Sequence, residues 1–258
     1  MTINNIARNQ MGTSMMRVAS GQRINSAADD AAGLAIVEQM TSQLRGFDQG
    51  TRNSLDMQGL INTAEGGLDT ISDSLQRVRE LSVQAANDTN SDINRRIIQE
   101  EINQLADHIQ TTVNNVQFNT RNLLDGGGEN LHTASGPDGS GMTANINNMS
   151  GLAQAIANFN VTGSFNINDI DTAITQVNNE RATIGAQYNR LNHTVNSNNV
   201  SAQNMADARS RINDADIAQE MMAVQQARVI DEVQLLMQRR EQEREEDNVR
   251  IVAPGAPR

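Results

Sequence analysis

The sequence contains no cysteine, no tryptophan and few other aromatic residues. Without cysteine, the chain has no disulfide bonds and no thiolate metal sites. Aromatic residues make up 2% and hydrophobic residues 37% of the 258 positions. This composition argues against a thick globular core and favours narrow helical contacts filled by Ile, Leu, Val, Met and Ala. No apolar run is long enough for a membrane-spanning helix, so we expect no membrane partner.

Positive charge is also scarce, because the formal net charge is −11 at neutral pH. The sequence has neither a basic patch nor a basic strand with interleaved aromatic residues. A nucleic-acid partner is therefore not expected. The first residues also lack the charged-then-apolar pattern of a cleaved secretory signal.

Motifs for catalysis and ligand binding are missing as well. The three histidines, His108, His132 and His193, stand far apart and beside no repeated carboxylate at metal-ligand spacing. We find no nucleophile elbow, phosphate loop or zinc-protease motif. The sequence predicts surface histidines, no enzymatic activity, no cofactor and no metal.

The most regular stretch of the chain is residues 170–217, which contain no proline and one glycine, Gly185. Apolar or small residues recur there at alternating steps of four and three: Ile170, Ile174, Val177, Ile184, Tyr188, Leu191, Val195, Ala202, Met205 and Ile212. Arg181, Asn198 and Arg209 interrupt the series. This period of about 3.5 residues is typical of one side of a long coiled-coil helix, which needs partner helices.

Two further stripes of the same period supply those partners. The second begins at Met57 and continues through Ile61, Ala64, Leu68, Ile71, Leu75, Val78, Ser82 and Ala85. The third comprises Ile98, Ile102, Leu105, Ile109, Thr112 and Val116. Turn formers at 87–90 and three glycines at 126–128 separate these segments. The pattern predicts an elongated antiparallel helical bundle, a rod that the terminal helices extend.

Residues 129–169 have a different character. The segments 131–135 and 142–146 flank Gly-Pro-Asp-Gly-Ser-Gly and predict a small β-hairpin, followed by a short helix at 152–159. We therefore divide the chain into five parts: an N-terminal helical arm (1–44), N-terminal rod helices (45–125), a hairpin insert (126–169), a C-terminal rod helix (170–211) and a C-terminal helical arm with a charged tail (212–258).

Both ends of the chain carry recognisable helix signals. Gly21 interrupts a first helical face, and Ser26 or Asp29 is expected to cap the helix that follows. Asp29 and Asp30 fit this helix-start role better than an acid/base or metal pair. After residue 237 the chain turns to mixed Arg and Glu, which predicts an exposed helix end and a tail closed by Pro254 and Pro257.

Arg77 and Leu81 lie four residues apart, beside the second stripe, and are expected to point outward. An exposed apolar side chain next to an arginine suits a protein–protein contact. A solvated helix face with weak local ion pairs is the alternative, and spacing alone favours it.

Four segments resemble the signatures of bacterial flagellins in their usual order. They are SGQRINSAADDAAGL at 20–34, LQRVRELSVQAAN at 75–87, FN at 118–119 with LLDG at 123–126, and ARSRINDAD at 208–216. The resemblance implies a subunit of the flagellar filament whose terminal helices pair in an inner tube and whose central helices form a surrounding layer. It implies a location outside the cell after export without a cleaved signal.

The same resemblance implies partners and site residues. The partners would be further copies of the chain, an export chaperone, cap or junction proteins and Toll-like receptor 5. Arg77, Leu81 and Glu101 match positions used in subunit packing and receptor contact. The residues expected to serve assembly of the terminal arms are Ile24, Leu34, Ile36, Ile217, Met221 and Val224.

Two departures from the family leave alternatives open. The segment before Ser20 is shorter than usual, and an Arg/Glu-rich stretch replaces the usual amphipathic end. Because burying such charges is costly, either the tail protrudes, the inner tube is built differently, or the chain does not polymerise alone. The alternatives are a flagellin-like minor or hook-filament junction component and a soluble coiled-coil binding module.

Overall fold

The protein is mainly helical in the computed structural model, which describes the backbone of residues 2–252 and the side chains of residues 8–245. The helices are α1 (Thr2–Ser20), α2 (Ala31–Ala85), α3 (Asp92–Asn115), α4 (Ser150–Ala157), α5 (Ile167–Asn213) and α6 (Ile217–Val252). The strands are β1 (Gln117–Phe118), β2 (Arg121–Asn122), β3 (Leu131–Ala134) and β4 (Gly141–Ala144). The predicted mainly helical fold with a small hairpin is confirmed.

The chain forms two compact units. The central unit comprises Gln43–Gln203, and the terminal unit comprises the residues up to Ser42 and from Asn204 onward. The five-part division drawn from the sequence stays a prediction.

Helices α2 and α5 pack antiparallel in the central unit. Gln58 of α2 bonds Asn192 of α5, whereas Arg79, further along α2, pairs with Asp171 near the start of α5. Every residue of the stripe predicted on α2 is buried, and so are Ile170, Val177, Ile184 and Leu191 of α5. The predicted period is therefore confirmed, because these stripes form the core of the unit together with α3.

Two of the three polar residues that interrupt the α5 stripe, Arg181 and Asn198, have partners on other elements. Arg181 donates from Nε to Oε1 of Glu65 over 2.8 Å and also pairs with Asp69 at 2.9 Å. The hydrogen bond to Glu65 raises the pKa of Arg181 above its ordinary value. The buried side chain of Asn198 donates to the carbonyl of Ser135 over 2.8 Å. These residues fix the register of α5 against α2 and against the hairpin.

The hairpin formed by β3 and β4 is antiparallel and pairs Leu131 with Ala144. Its turn fits against two glycines of α2, because a Cβ on Gly50 would lie 2.0 Å from the carbonyl oxygen of Ser135 and one on Gly46 2.6 Å from Cα of Pro137. Both glycines thus allow the hairpin to approach the helix closely. The predicted hairpin and short helix are confirmed with small shifts of their ends.

Two helices extend through segments that the sequence analysis treated separately. Helix α2 is continuous from Ala31 to Ala85 and so includes residues 44 and 45, where the sequence analysis divides the N-terminal arm from the rod helices. Helix α6 continues through the charged stretch to Val252, and Arg239–Glu245 are exposed as predicted. The tail closed by Pro254 and Pro257 lies outside the described residues.

Candidate assembly surfaces

Helices α1 and α6 pair antiparallel in the terminal unit. Arg17 forms an ion pair with Glu220 at 3.1 Å, and Arg8 forms one with Asp231 at 3.1 Å. Because the residue number rises along α1 while it falls along α6, the two helices point in opposite directions.

The face of α6 that lies between these ion pairs is small and partly polar. Val224 and Ala227 are 3% and 6% exposed, and Ser14 of α1 is also buried. On α6, Glu220, Val224, Ala227 and Asp231 follow one another at steps of four, three and four residues. This is the period of a coiled-coil contact.

A second stripe with the same period covers the opposite face of α6. Its members are Met222, Gln226, Val229, Val233 and Leu236. Met222 is 60% exposed, Val229 58%, Val233 49% and Leu236 56%. Since each helical residue adds about 100° of rotation, this outer stripe lies roughly 180° from Val224. From the sequence alone the apolar residues of this segment look irregular, because Met221, Ile230, Leu235 and Met237 lie outside both stripes.

The six predicted terminal-arm residues differ widely in exposure. The buried ones are Ile24 and Val224, Leu34 is half-buried, and the exposed ones are Ile36 at 46%, Ile217 at 44% and Met221 at 44%. The exposed three are free to contact another molecule, whereas Ile24 and Val224 stabilise the terminal unit itself. Their role in assembly stays a prediction.

The turn before α2 contains Ile24, Asp29 and Asp30. Oδ2 of Asp29 accepts hydrogen bonds from the N–H groups of Asn25 and Ser26 at 3.2 and 2.9 Å and from the Ser26 hydroxyl at 3.0 Å. These bonds, chiefly that of the Ser26 hydroxyl, hold the pKa of Asp29 below its ordinary value.

The cap of α2 is Asp30, whose Oδ1 accepts from the N–H of Gly33 over 2.8 Å. The prediction of Ser26 or Asp29 as the cap was therefore wrong. Asp29 closes the preceding turn instead. Asp30, the residue directly before Ala31, is the one that accepts a hydrogen bond from a free amide of the first helical turn.

Arg77 and Glu101 form the main polar contact between α2 and α3. Nε and one terminal nitrogen of Arg77 donate to Oε1 of Glu101 over 2.9 and 2.7 Å, and the other terminal nitrogen pairs with Glu80 at 3.1 Å. The bond to Glu101 is the main cause that raises the pKa of Arg77. Both side chains of the pair remain about half exposed, at 49% and 46%.

The prediction that Leu81 points outward was wrong. Its side chain is 2% exposed and belongs to the core of the central unit. The apolar stripe of α2 is wider here than the period suggested, since α2 contacts α3 through Arg77 and α5 through Arg79. The interface role assigned to Arg77, Leu81 and Glu101 stays a prediction.

The exposed apolar side chains near Arg77 are two isoleucines of α3. Ile93 and Ile97 are 62% and 65% exposed and lie eight and four residues before Glu101 on the same helical face. Sequence reasoning missed them because they fall outside the buried stripe. Their spacing of four residues was the available signal.

The described residues show no feature of a catalytic centre. His108, His132 and His193 are exposed, as predicted. Over the described range, no three His, Asp or Glu residues are grouped as metal ligands would be, and no helix is both long and apolar enough to cross a bilayer.

A groove of the central unit lies along α5. Its volume is about 640 Å³, and its lining is mainly hydroxyl and amide side chains with Asp171 and Glu180. Glu180 is 2% exposed, but both carboxylate oxygens accept hydrogen bonds from Asn147. The carboxylate therefore holds the insert in place.

Comparison with known proteins agrees with this geometry. The bacterial flagellin N-terminal helical region matches residues 1–129, and the bacterial flagellin C-terminal helical region matches residues 167–244. A flagellin of Halalkalibacterium halodurans is 38% identical over 237 residues, which cover 89% of this chain and 87% of the relative. The flagellar filament 33 kDa core protein of Treponema phagedenis is 40% identical over 229 residues, 81% of this chain and 80% of the relative.

A solved structure supports the fold alone. The putative flagellar hook-associated protein of Vibrio parahaemolyticus has a TM-score of 0.59 and 17% identity. The match covers 72% of this chain and 100% of the Vibrio chain. The two matched regions and the two relatives leave the family in no doubt. The chain belongs to the bacterial flagellin family, a family of structural filament proteins and not of enzymes.

Proposed function

We propose that this chain is a structural subunit of the bacterial flagellar filament, which assembles outside the cell and serves motility. The observation that carries the proposal is the exposed apolar surface of α6. Its exposed large hydrophobic residues are Ile217, Met221, Met222, Val229, Ile230, Val233, Leu235, Leu236 and Met237. An exposed apolar patch marks a protein contact, and four of these residues, Met222, Val229, Val233 and Leu236, share one face of α6.

The period of the outer stripe suggests the kind of partner. Met222, Val229, Val233 and Leu236 follow the steps of a coiled-coil contact, with Gln226 completing the series. The inner face of α6 is already occupied by α1, so the outer face is available to a helix of another copy. Burial of each half-exposed side chain would contribute roughly 1 kcal/mol.

A filament requires a contact that does not close on itself. Two different surfaces of the same chain must meet, so that each added copy offers a free surface to the next. We propose the terminal arms, including Ile36, Ile217 and Met221, as one such contact. Arg77 and Glu101 would belong to another, in which Leu81 acts only through its packing beneath them.

The finer expectations rest on family membership. We propose that the chain is exported without a cleaved signal peptide, and that it meets an export chaperone and cap or junction proteins on the way to the filament. Contact with Toll-like receptor 5 would use the exposed surface at Arg77 and Glu101. The five-part division of the chain belongs to the same proposal, with 1–44 and 212–258 as the assembling arms.

The test is seeded assembly of the purified chain, followed by electron microscopy. We expect long filaments from the parent chain and none from the double variant Val229→Ser/Val233→Ser. The matched control is Arg228→Ser/Glu232→Ser, which alters two exposed residues of the same helix, off the outer stripe, and keeps the net charge. This control should assemble like the parent.

Other outcomes would favour the alternatives. Seeds that do not elongate would favour a minor or hook-filament junction component, and a stable closed oligomer would favour a soluble coiled-coil binding module. Filaments only from a chain that ends at Met237 would identify the charged stretch as an inhibitor of assembly.

A further inference from the structure

The methionines of the two compact units differ in exposure. In the central unit, Met57, Met142 and Met149 are buried, with exposed fractions of 9%, 6% and 0%. In the terminal unit, every methionine whose side chain is described is half-buried or exposed; these are Met11, Met15, Met16, Met40, Met205, Met221, Met222 and Met237. Among the described residues, the thioether groups that solvent reaches most readily therefore lie in the terminal unit.

Two pairs of adjacent methionines stand out in this set. The α1 pair consists of Met15 and Met16, which are 43% and 57% exposed. The α6 pair consists of Met221 and Met222, which are 44% and 60% exposed. Because residue type, spacing and exposure agree so closely, a small oxidant in solution should react with both pairs at similar rates.

The surroundings of the two pairs are different. Met222 is the first member of the outer stripe of α6, and Met221 precedes it directly. Both line a shallow depression on the surface of α6 together with Gln225 and Gln226. Methionine is flexible and polarizable, which suits an apolar contact with a helix of another copy. The α1 pair lies on the other helix, outside this surface.

Hydrogen peroxide converts an accessible methionine to its sulfoxide. The sulfur lone pair attacks one peroxide oxygen, an S–O bond forms, and the O–O bond breaks. The other oxygen leaves as water after proton transfer, so the sulfur is oxidised and the peroxide is reduced. The product is polar and chiral where the parent side chain is apolar. It therefore disrupts contacts that depend on burial of methionine.

We propose that Met221 and Met222 are oxidation sites that control entry of the chain into a filament. Both side chains are exposed in the free chain, and their sulfoxides place polar groups on the outer face of α6 and so oppose assembly. In a filament the neighbouring copy covers the pair, and peroxide no longer reaches it. The inference rests on the proposed filament function and adds a peroxide-sensitive step to it.

Peroxide treatment followed by seeded assembly tests the proposal. The full chain is oxidised as a monomer, its sulfoxides are located by mass spectrometry of peptides, and its critical concentration is measured on untreated seeds. Burial of one methionine side chain changes an equilibrium constant by about tenfold or more. Oxidation should therefore raise the critical concentration of the parent by at least about tenfold. Enzymatic reduction of both sulfoxide epimers should restore it.

Two double variants separate the α6 pair from the other methionines. Met221→Leu/Met222→Leu keeps the surface apolar without a thioether, so peroxide should leave its critical concentration unchanged. The matched control is Met15→Leu/Met16→Leu, which should be inhibited by peroxide as strongly as the parent. Both variants retain the half-buried methionines of the terminal unit, so oxidation there affects them equally. Equal inhibition of both variants would overturn the assignment to the α6 pair.

The remaining outcomes separate this inference from the proposed function. Unchanged growth of a parent chain that carries sulfoxides at Met221 and Met222 would overturn the inference and leave the proposed function intact. Absence of filaments from the untreated parent would overturn the proposed function, and the inference with it.

Oxidation rates in the two states provide a second measurement. Met222 should react with peroxide readily in the monomer and at least about tenfold more slowly in filaments, because a contact that excludes solvent covers it there. The buried Met142 is the control and should react slowly in both states. Equal oxidation of Met222 in monomer and filament would overturn the inference.

Discussion

Oδ1 of Asp30 accepts a hydrogen bond from the backbone N–H of Gly33 over 2.8 Å and so caps the N-terminus of α2. A Cβ on residue 33 would lie 2.4 Å from Oδ2 of Asp30 and 2.8 Å from Cδ1 of Ile24. The absence of a side chain at Gly33 therefore allows the cap and the burial of Ile24 at the same time.

Gly33→Ala should destabilise the terminal unit by about 1–3 kcal/mol, because the added methyl group displaces the cap and the Ile24 side chain together. Thermal unfolding of the dilute monomer, followed by circular dichroism, measures the effect. Asp30→Asn keeps an acceptor at the cap and should cost less than Gly33→Ala. Equal stability of Gly33→Ala and the parent would contradict the proposed role of this glycine.

The adjacent glycines of α2 should respond in opposite directions. A Cβ on Gly67 would lie 2.7 Å from Cγ2 of Val116 and 3.1 Å from Cδ1 of Leu124, whereas one on Gly66 would meet nothing within 4 Å. Gly66→Ala should stabilise the monomer by up to about 1 kcal/mol through helix propensity. Gly67→Ala should destabilise it by about 1–3 kcal/mol through overpacking. Denaturant unfolding distinguishes them, and a shift of the same sign in both would be inconsistent with the packing described.

The turn before α2 should make the terminal unit sensitive to acid through Asp29. Its hydrogen bonds hold the folded-state pKa below the ordinary value of 3.8. A lowered pKa means that the ionised form stabilises the fold. This contribution is complete above the ordinary value and is lost as the pH falls through the lowered folded-state pKa.

Asp29→Asn therefore should lower the melting temperature near neutral pH, and the difference from the parent should shrink below about pH 4. Melting curves of both chains across this range test the prediction. A difference that grows as the pH falls would contradict it.

The helical stripes were predictable because burial and sequence share one period along α2 and α5. The burial of Leu81 was not predictable, since it depends on a second neighbouring helix. Local spacing does not show which helix packs against a given helix face. Asn198 likewise breaks the α5 stripe in the sequence, and only the fold shows that it holds the hairpin through Ser135.

The proposed assembly surface of α6 was predictable only in part. Ile217 and Met221 were predicted through the family resemblance, and their role in assembly stays a prediction. The outer stripe through Val229 and Val233 was missed, because other apolar residues of α6 lie between its members and local spacing does not reveal which face of the helix contacts α1. Ile97 of α3 was missed for another reason. It is exposed, so it does not belong to the buried stripe whose period the sequence shows.

Thiol protection at residue 233 tests the central claim, assembly through the outer face of α6, most directly. The variant Val233→Cys carries the only thiol of the chain and is labelled with a maleimide as monomer and after seeded assembly. Ala227→Cys, buried against α1 at 6% exposure in the parent residue, is the control and should react slowly in both states. The account predicts fast labelling of Val233→Cys in the monomer and strong protection in filaments. Equally fast labelling in both states would contradict it.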